Sequence, residues 1–182
     1  MSEYRVVQDY PDPPERVWCA LTDPEIVPLW TSTGRGGKPV GFAAVVGTRF
    51  KFVGKPTVGW NGVVDCEVLE VQESALLRFT WRGGEDDDLT TVTWLLEPHD
   101  GGTRLTCEHT GFTGLRGFMM AKLLGSVRRK MLRVGLVAAL SKIEGIEPAG
   151  LALRARPRSL SPTSGAKQPQ VVSAGEGNRT PD

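Results

Sequence analysis

The side chains that could do chemistry are few: two histidines and three cysteines in 182 residues. Cys66, Cys107 and His109 stand out, because each falls on the inward side of a segment whose residues alternate between apolar and polar. A histidine so placed can hold the polar head of a ligand or move a proton; its alternative is a neutral ring hydrogen-bonded inside the core. Cys66, Cys107 and His109 do not follow the ligand spacing of structural zinc sites, so no metal is expected. The thiols read as small buried hydrophobes. His99 lies in a polar turn and is expected to be solvated.

Other chemistries fall away on their motifs. No Gly-x-Ser-x-Gly elbow occurs, and only one histidine is placed inward, which discounts a Ser-His-Asp triad. The run from Gly34 to Pro39 is glycine-rich but lacks the spacing and the Ser/Thr of a phosphate loop, and reads as a loop able to gate a pocket mouth. The carboxylates at 85–88 read as a hairpin tip, each facing water separately. No catalytic residue and no cofactor are expected.

The elements that would position these groups follow from periodicity. A first strand is predicted at 4–9, then two short helices opened by Pro13-Pro14 and Asp23-Pro24, then a long loop over 31–47. Segments 49–53, 60–71, 76–82, 89–97 and 103–110 alternate with period two, the signature of antiparallel strands with one face buried. Their inward faces carry Phe50, Phe52, Cys66, Phe79, Trp81, Trp94, Cys107 and His109. The turns at 83–88 and 99–102 suit hairpins. A long helix is predicted over 115–144, with Met120, Leu124, Val127, Met131, Val134 and Ala138 on the stripe facing the sheet. Arg128, Arg129, Lys130 and Arg133 then form a solvated basic face, and Leu132, Leu136, Leu140 and Ile143 form a second apolar stripe. Either the short helices cover that second stripe or it makes a homodimer contact. The fold expected is α+β: a curved antiparallel sheet wrapped around a long C-terminal helix, with the short helices closing one end.

These phrases resemble a known family. The runs Pro13-Pro14-Glu15-Arg16-Val17-Trp18 through Leu21-Thr22-Asp23-Pro24, and Gly59-Trp60-Asn61-Gly62-Val63-Val64-Asp65-Cys66-Glu67-Val68-Leu69, are similar to bacterial homologues of the heat-shock-protein-90 ATPase activator. So are Thr80-Trp81, Val92-Thr93-Trp94, Gly102-Thr103-Arg104-Leu105 and Glu108-His109-Thr110-Gly111-Phe112. That family is a branch of the START-like (SRPBCC) superfamily, and the resemblance implies a helix-grip fold with a hydrophobic cavity between sheet and helix. It carries over no universal catalytic motif. Relatives include lipid carriers, hormone receptors, polyketide cyclases and chaperone activators. The family often has a tryptophan soon after a glycine of the long helix; here Gly125 is followed by Ser126 and Val127, so either the cavity is larger or another residue fills the space.

The expected function is therefore non-catalytic binding of a small apolar or amphipathic molecule by Phe50, Phe52, Cys66, Phe79, Trp81, Trp94, Cys107, His109, Met120, Leu124, Val127 and Met131. A cyclase- or hydrolase-type enzyme, or a modulator of a heat-shock ATPase, is the alternative. The balance of 22 basic and 21 acidic residues argues against bulk nucleic-acid binding, and no apolar run is long enough for stable membrane insertion. A polar N-terminus without a signal core points to the cytoplasm.

Residues 1–148 read as the domain and 149–182 as a disordered tail, rich in proline and with five basic against two acidic residues. The final six, Gly177 to Asp182, back-translate into the complement of a transfer-RNA T-arm, so the reading frame is expected to have run into non-coding sequence there.

Overall fold

Alternation in the sequence becomes alternation in burial. In β4 (Val63–Gln72), Val64, Cys66 and Val68 are buried while Asp65 and Leu69 face solvent. The same rule places Leu77 and Phe79 of β5 (Leu76–Trp81) and Val92, Trp94 and Leu96 of β6 (Thr90–His99) on the inner face. Leu105, Cys107 and His109 of β7 (Gly102–Phe112) join them. With β1 (Ser2–Tyr10), β2 (Lys38–Val40) and β3 (Arg49–Val53), these strands make one seven-stranded antiparallel sheet in the order β1-β7-β6-β5-β4-β3-β2. The computed structural model describes residues 1–31, 37–56, 58 and 60–143; the predicted tail and the middle of the glycine-rich loop lie outside them.

Turn chemistry sets the register. Asp100 and Gly101 take φ values of 48° and 78°, the left-handed pair that a two-residue hairpin turn requires. That turn joins β6 to β7 with Trp94 opposite Cys107 and Val92 opposite His109. β1 closes the other side of β7, with Val6 opposite Cys107. The strand β2, within the predicted loop, has Pro39 at its centre; a proline is tolerated because β2 is an edge strand.

The short helix α1 (Pro14–Thr22) opens at Pro13-Pro14 as predicted, whereas α2 is only Val27–Trp30: Asp23 caps the end of α1 instead of the start of α2, and residues 24–26 form a turn. The C-terminal helix begins as α3 (Gly114–Lys130), passes through a π-helical stretch (Met131–Leu136), and ends as α4 (Val137–Lys142). Tyr10 donates its hydroxyl proton to the Leu132 carbonyl oxygen at 2.8 Å within that stretch. A Cβ on Gly135 would stand 2.6 Å from the Trp30 carbonyl oxygen, so only glycine lets the two backbones meet there.

The helix is rotated relative to the predicted stripe. Its buried residues are Gly117, Ala121, Gly125, Arg128, Leu132, Leu136, Ala139 and Leu140, while Val127, Val134 and Ala138 are exposed. Leu132, Leu136 and Leu140 are thus core, packed beside α1 and α2, and do not offer a homodimer contact; Ile143 is half-buried against the same cluster. The expectation failed in part because apolarity was counted: of the predicted stripe Met120, Leu124 and Met131 are half-buried, Val134 and Ala138 are exposed, and the small residues Gly117, Ala121 and Gly125 are the buried ones.

Candidate functional site

Between the sheet and the first half of the long helix lies a cavity of about 640 Å3. Its inner wall is Phe52 of β3, Val64 of β4, Trp81 of β5, and Thr90 and Trp94 of β6. The helix contributes Met120, Leu124, Val127, Arg128 and Met131; Tyr4, Trp30 and Phe112 complete the wall, and Asp87, Asp88 and Arg116 stand at its rim. The space exists because the helix turns glycine and alanine toward β1 and β7 instead of bulk. At Gly125 a Cβ would meet the Tyr4 ring at 3.0 Å.

Among the residues expected to contact a ligand, Phe52, Trp81, Trp94, Met120, Leu124, Val127 and Met131 line this cavity. Phe50 and Phe79 do not; they pack edge-on behind Phe52 and Trp94, around a void of about 10 Å3. Cys66, Cys107 and His109 are also buried behind the wall. Burial pushes both thiols well above the ordinary cysteine range, so neither is a nucleophile near neutrality.

His109 is fully buried and bonded at both ring nitrogens: Nδ1 lies 3.1 Å from the Tyr4 hydroxyl and Nε2 lies 2.7 Å from Thr90 Oγ1. Thr90 gives its one proton to the Trp81 carbonyl oxygen at 2.9 Å. The tautomer follows: Nε2 carries the hydrogen and donates to Thr90, and Nδ1 accepts from Tyr4. Burial, and secondarily the charge of Arg128, depress the His109 pKa to about 3. The ring is neutral at physiological pH and serves to orient Tyr4. Arg104, Glu108 and Asp65, the charged neighbours in sequence, point outward to Asp9, Arg5 and Lys51.

The sequence reading missed Arg128. Assigned to a solvated basic face, it is 7% exposed and lines the cavity with its guanidinium 5.6 Å from the centre of the Trp81 ring. The signal was the 4-4-3-4-4 spacing of Gly117, Ala121, Gly125, Arg128, Leu132 and Leu136, one continuous helix face. The tip carboxylates were also misjudged. Asp88 accepts hydrogen bonds from the Thr113 amide and hydroxyl, both at 2.8 Å, and Asp87 pairs with Arg116 at 2.8 Å, which fastens the start of α3 to the β5–β6 turn. His99 is not simply solvated either, since it contacts Arg104 and Asp100. Among the described residues, no cluster of three or more His, Cys, Asp or Glu side chains could hold a metal ion, and no helix is long and apolar enough to cross a membrane.

A curved antiparallel sheet gripping a C-terminal helix, with two short helices after the first strand and a cavity inside, is the helix-grip arrangement of START-like proteins. Residues 12–127 match the family model described as "Activator of Hsp90 ATPase homolog 1-like protein", and the chain belongs to that family. It is similar to a crystal structure of a Mesorhizobium loti protein, with 31% identity and a TM-score of 0.62 over 78% of this chain and 98% of that one. A Rhizobium loti protein shares 26% identity and a TM-score of 0.63, over 76% and 96% of the two chains. A solution structure from Arthrobacter aurescens, at 18% identity, TM-score 0.66, and 77% and 86% coverage, shows the shared fold alone. Among curated proteins none matches the sequence. Members of this family typically hold ligands in the cavity between sheet and helix.

Proposed function

We propose that the protein is a non-catalytic binding module that takes one small apolar or amphipathic molecule into the cavity between its sheet and α3. The observation that carries this reading is the space itself, about 640 Å3 walled by Phe52, Trp81, Trp94, Phe112, Met120, Leu124 and Met131. That volume is in the range of sites for drug-sized molecules, and aromatic and methionine walls are the common lining of such sites. Binding would come from apolar burial, about 0.8 kcal/mol for each CH2 removed from water, less the cost of ordering the ligand.

Binding is favoured over proton-transfer catalysis by the state of His109. A general acid or base works best with a pKa near the operating pH and within reach of the substrate. His109 sits behind Tyr4 and Thr90, and its pKa of about 3 keeps it neutral near pH 7, too weak a base to take a proton and with no imidazolium proton to give.

Native mass spectrometry of protein purified from cells tests the proposal. The expected spectrum shows a small molecule of defined mass retained on the protein and released by solvent. A bare protein, with no thermal shift across a panel of fatty and aromatic compounds, would overturn it.

A further inference from the structure

A cavity built for an apolar guest has no need of a guanidinium, yet Arg128 is placed in this one. Its side chain is buried on the helix face that meets the sheet, and it lines the cavity between Val127 and Met131. Among the described residues no carboxylate lies within ion-pair distance of it. Of the three carboxylates that share the same space, Asp87 and Asp88 are engaged by Arg116 and Thr113 at the rim, and Asp86 makes no ion pair with Arg128. What surrounds Arg128 is neutral: the π face of Trp81, the Tyr4 hydroxyl, and the thiols of Cys66 and Cys107, whose ionisation burial opposes. Tyr4 commits its proton to His109, so its oxygen turns lone pairs toward the arginine, and the buried Trp94 Nε1, which has no hydrogen-bond partner among the described residues, is a second donor on the same wall. Arginine does not lose its charge in proteins, and burying it without a counter-charge is costly.

We infer that Arg128 is the anchor for a single negative charge on the ligand, which makes the natural guest a monocarboxylate with an apolar body. A carboxylate matches the guanidinium in charge and in its paired-bond geometry. A phosphate monoester would bring close to two charges, and among the described residues the only other cation on the wall, Arg116, stands at the rim bonded to Asp87 at 2.8 Å. The apolar body would then lie against Phe52, Trp81, Trp94 and Met131. This inference rests on the binding reading above and specifies the chemistry of its ligand.

The test compares matched pairs on the full chain by tryptophan fluorescence and calorimetry: decanoic acid against 1-decanol, and 2-naphthoic acid against 2-naphthalenemethanol. The acid of at least one pair is expected to bind about tenfold to a hundredfold more tightly than its alcohol. Arg128→Met should remove that preference by bringing acid binding down to the level of the alcohol, and melt at or above the wild-type temperature because a buried unpaired charge is gone. Arg128→Lys, which keeps the charge and loses the fork, should retain part of the preference and carries the test should the methionine variant not fold. Acid and alcohol binding equally, alcohol binding better, or Arg128→Met binding the acids as wild type does would overturn the anchor and leave the cavity reading standing. If none of the four compounds binds, the cavity reading falls and the anchor with it.

Discussion

The two halves of the C-terminal helix treat the sheet differently. From Gly117 to Arg128 the buried residues are glycine, alanine and one arginine; the small ones bring the helix against β1 and β7, while Met120, Leu124 and Val127 beside them face open space over the rest of the sheet. From Leu132 to Leu140 the inward residues are leucines and an alanine, closed over by α1 and α2. One half gives up packing to keep a space, and the other supplies the packing that keeps the helix in place. The π-helical stretch falls at the junction, where Gly135 admits the Trp30 backbone. A protein that must hold a void needs a solid region beside it, and here a single helix provides both.

The comparison can be broken most forcefully at the solid end. Leu132→Ala should cost about 2–5 kcal/mol in urea unfolding, as deletions from fully buried leucine sites do, because Leu132 is 0% exposed. Leu124→Ala, against the cavity, should cost about 1 kcal/mol or less, since its side chain already borders space. Equal losses at the two sites would mean that the halves are packed alike.

Acid sharpens the contrast next. In the unfolded chain His109 takes up a proton near its ordinary pKa of about 6.5, whereas in the fold it stays neutral down to about 3. The unfolded state therefore binds more protons between those values, so stability rises with pH across that window and is lost as pH falls. The loss approaches about 1.4 kcal/mol per pH unit. Unfolding measured from pH 7 to 4.5, above the range where Asp9 and Asp88 with their lowered pKa values protonate, should show this slope. His109→Gln should flatten it.

The glycines separate the halves more gently. Gly135→Ala should cost about 1–3 kcal/mol, because the new methyl meets the backbone of Trp30 and backbone cannot turn aside. Gly125→Ala meets the Tyr4 ring, which can shift; it should cost less in denaturation but disturb the tyrosine fluorescence and the contact with His109. The smallest effect belongs to Asp88→Asn. It should leave the melting temperature nearly unchanged while hydrogen exchange of the first turn of α3 accelerates, since the charge that receives the Thr113 amide and hydroxyl is gone.

How much of this was legible in the sequence depends on what each element buries. The strands were readable because each buries one face, so Val64-Cys66-Val68 and Leu105-Cys107-His109 announce themselves by period two. β2 was not, being three residues with a proline in the middle on an outer edge. The long helix was found but its orientation was misread: a hydrophobic count rewards Val134, which is exposed, and passes over Gly117 and Gly125, which are the contact. Most of the cavity wall was recovered because strand parity alone places Phe52, Trp81 and Trp94 inward. Arg128 was lost because a charge on a helix is read as solvated. Tyr4 was not legible because β1 alternates weakly: Tyr4, Val6 and Tyr10 share one parity, but polar Gln8 interrupts it.

The pairing of β1 with β7 sets an order of events for assembly. Ser2 lies opposite Phe112 and Tyr4 opposite His109, so the residues of β1 must wait for a strand a hundred or so residues later before they find their neighbours. Arg128 comes later still, on the helix that follows. Contacts between such distant parts of a chain are slow to close, because the entropy of the intervening loop is lost before any contact offsets it. Tyr4, His109 and Arg128 therefore come together only once all three distant segments are in place, and a nascent chain has no such pocket to offer until the helix that carries Arg128 has emerged and docked.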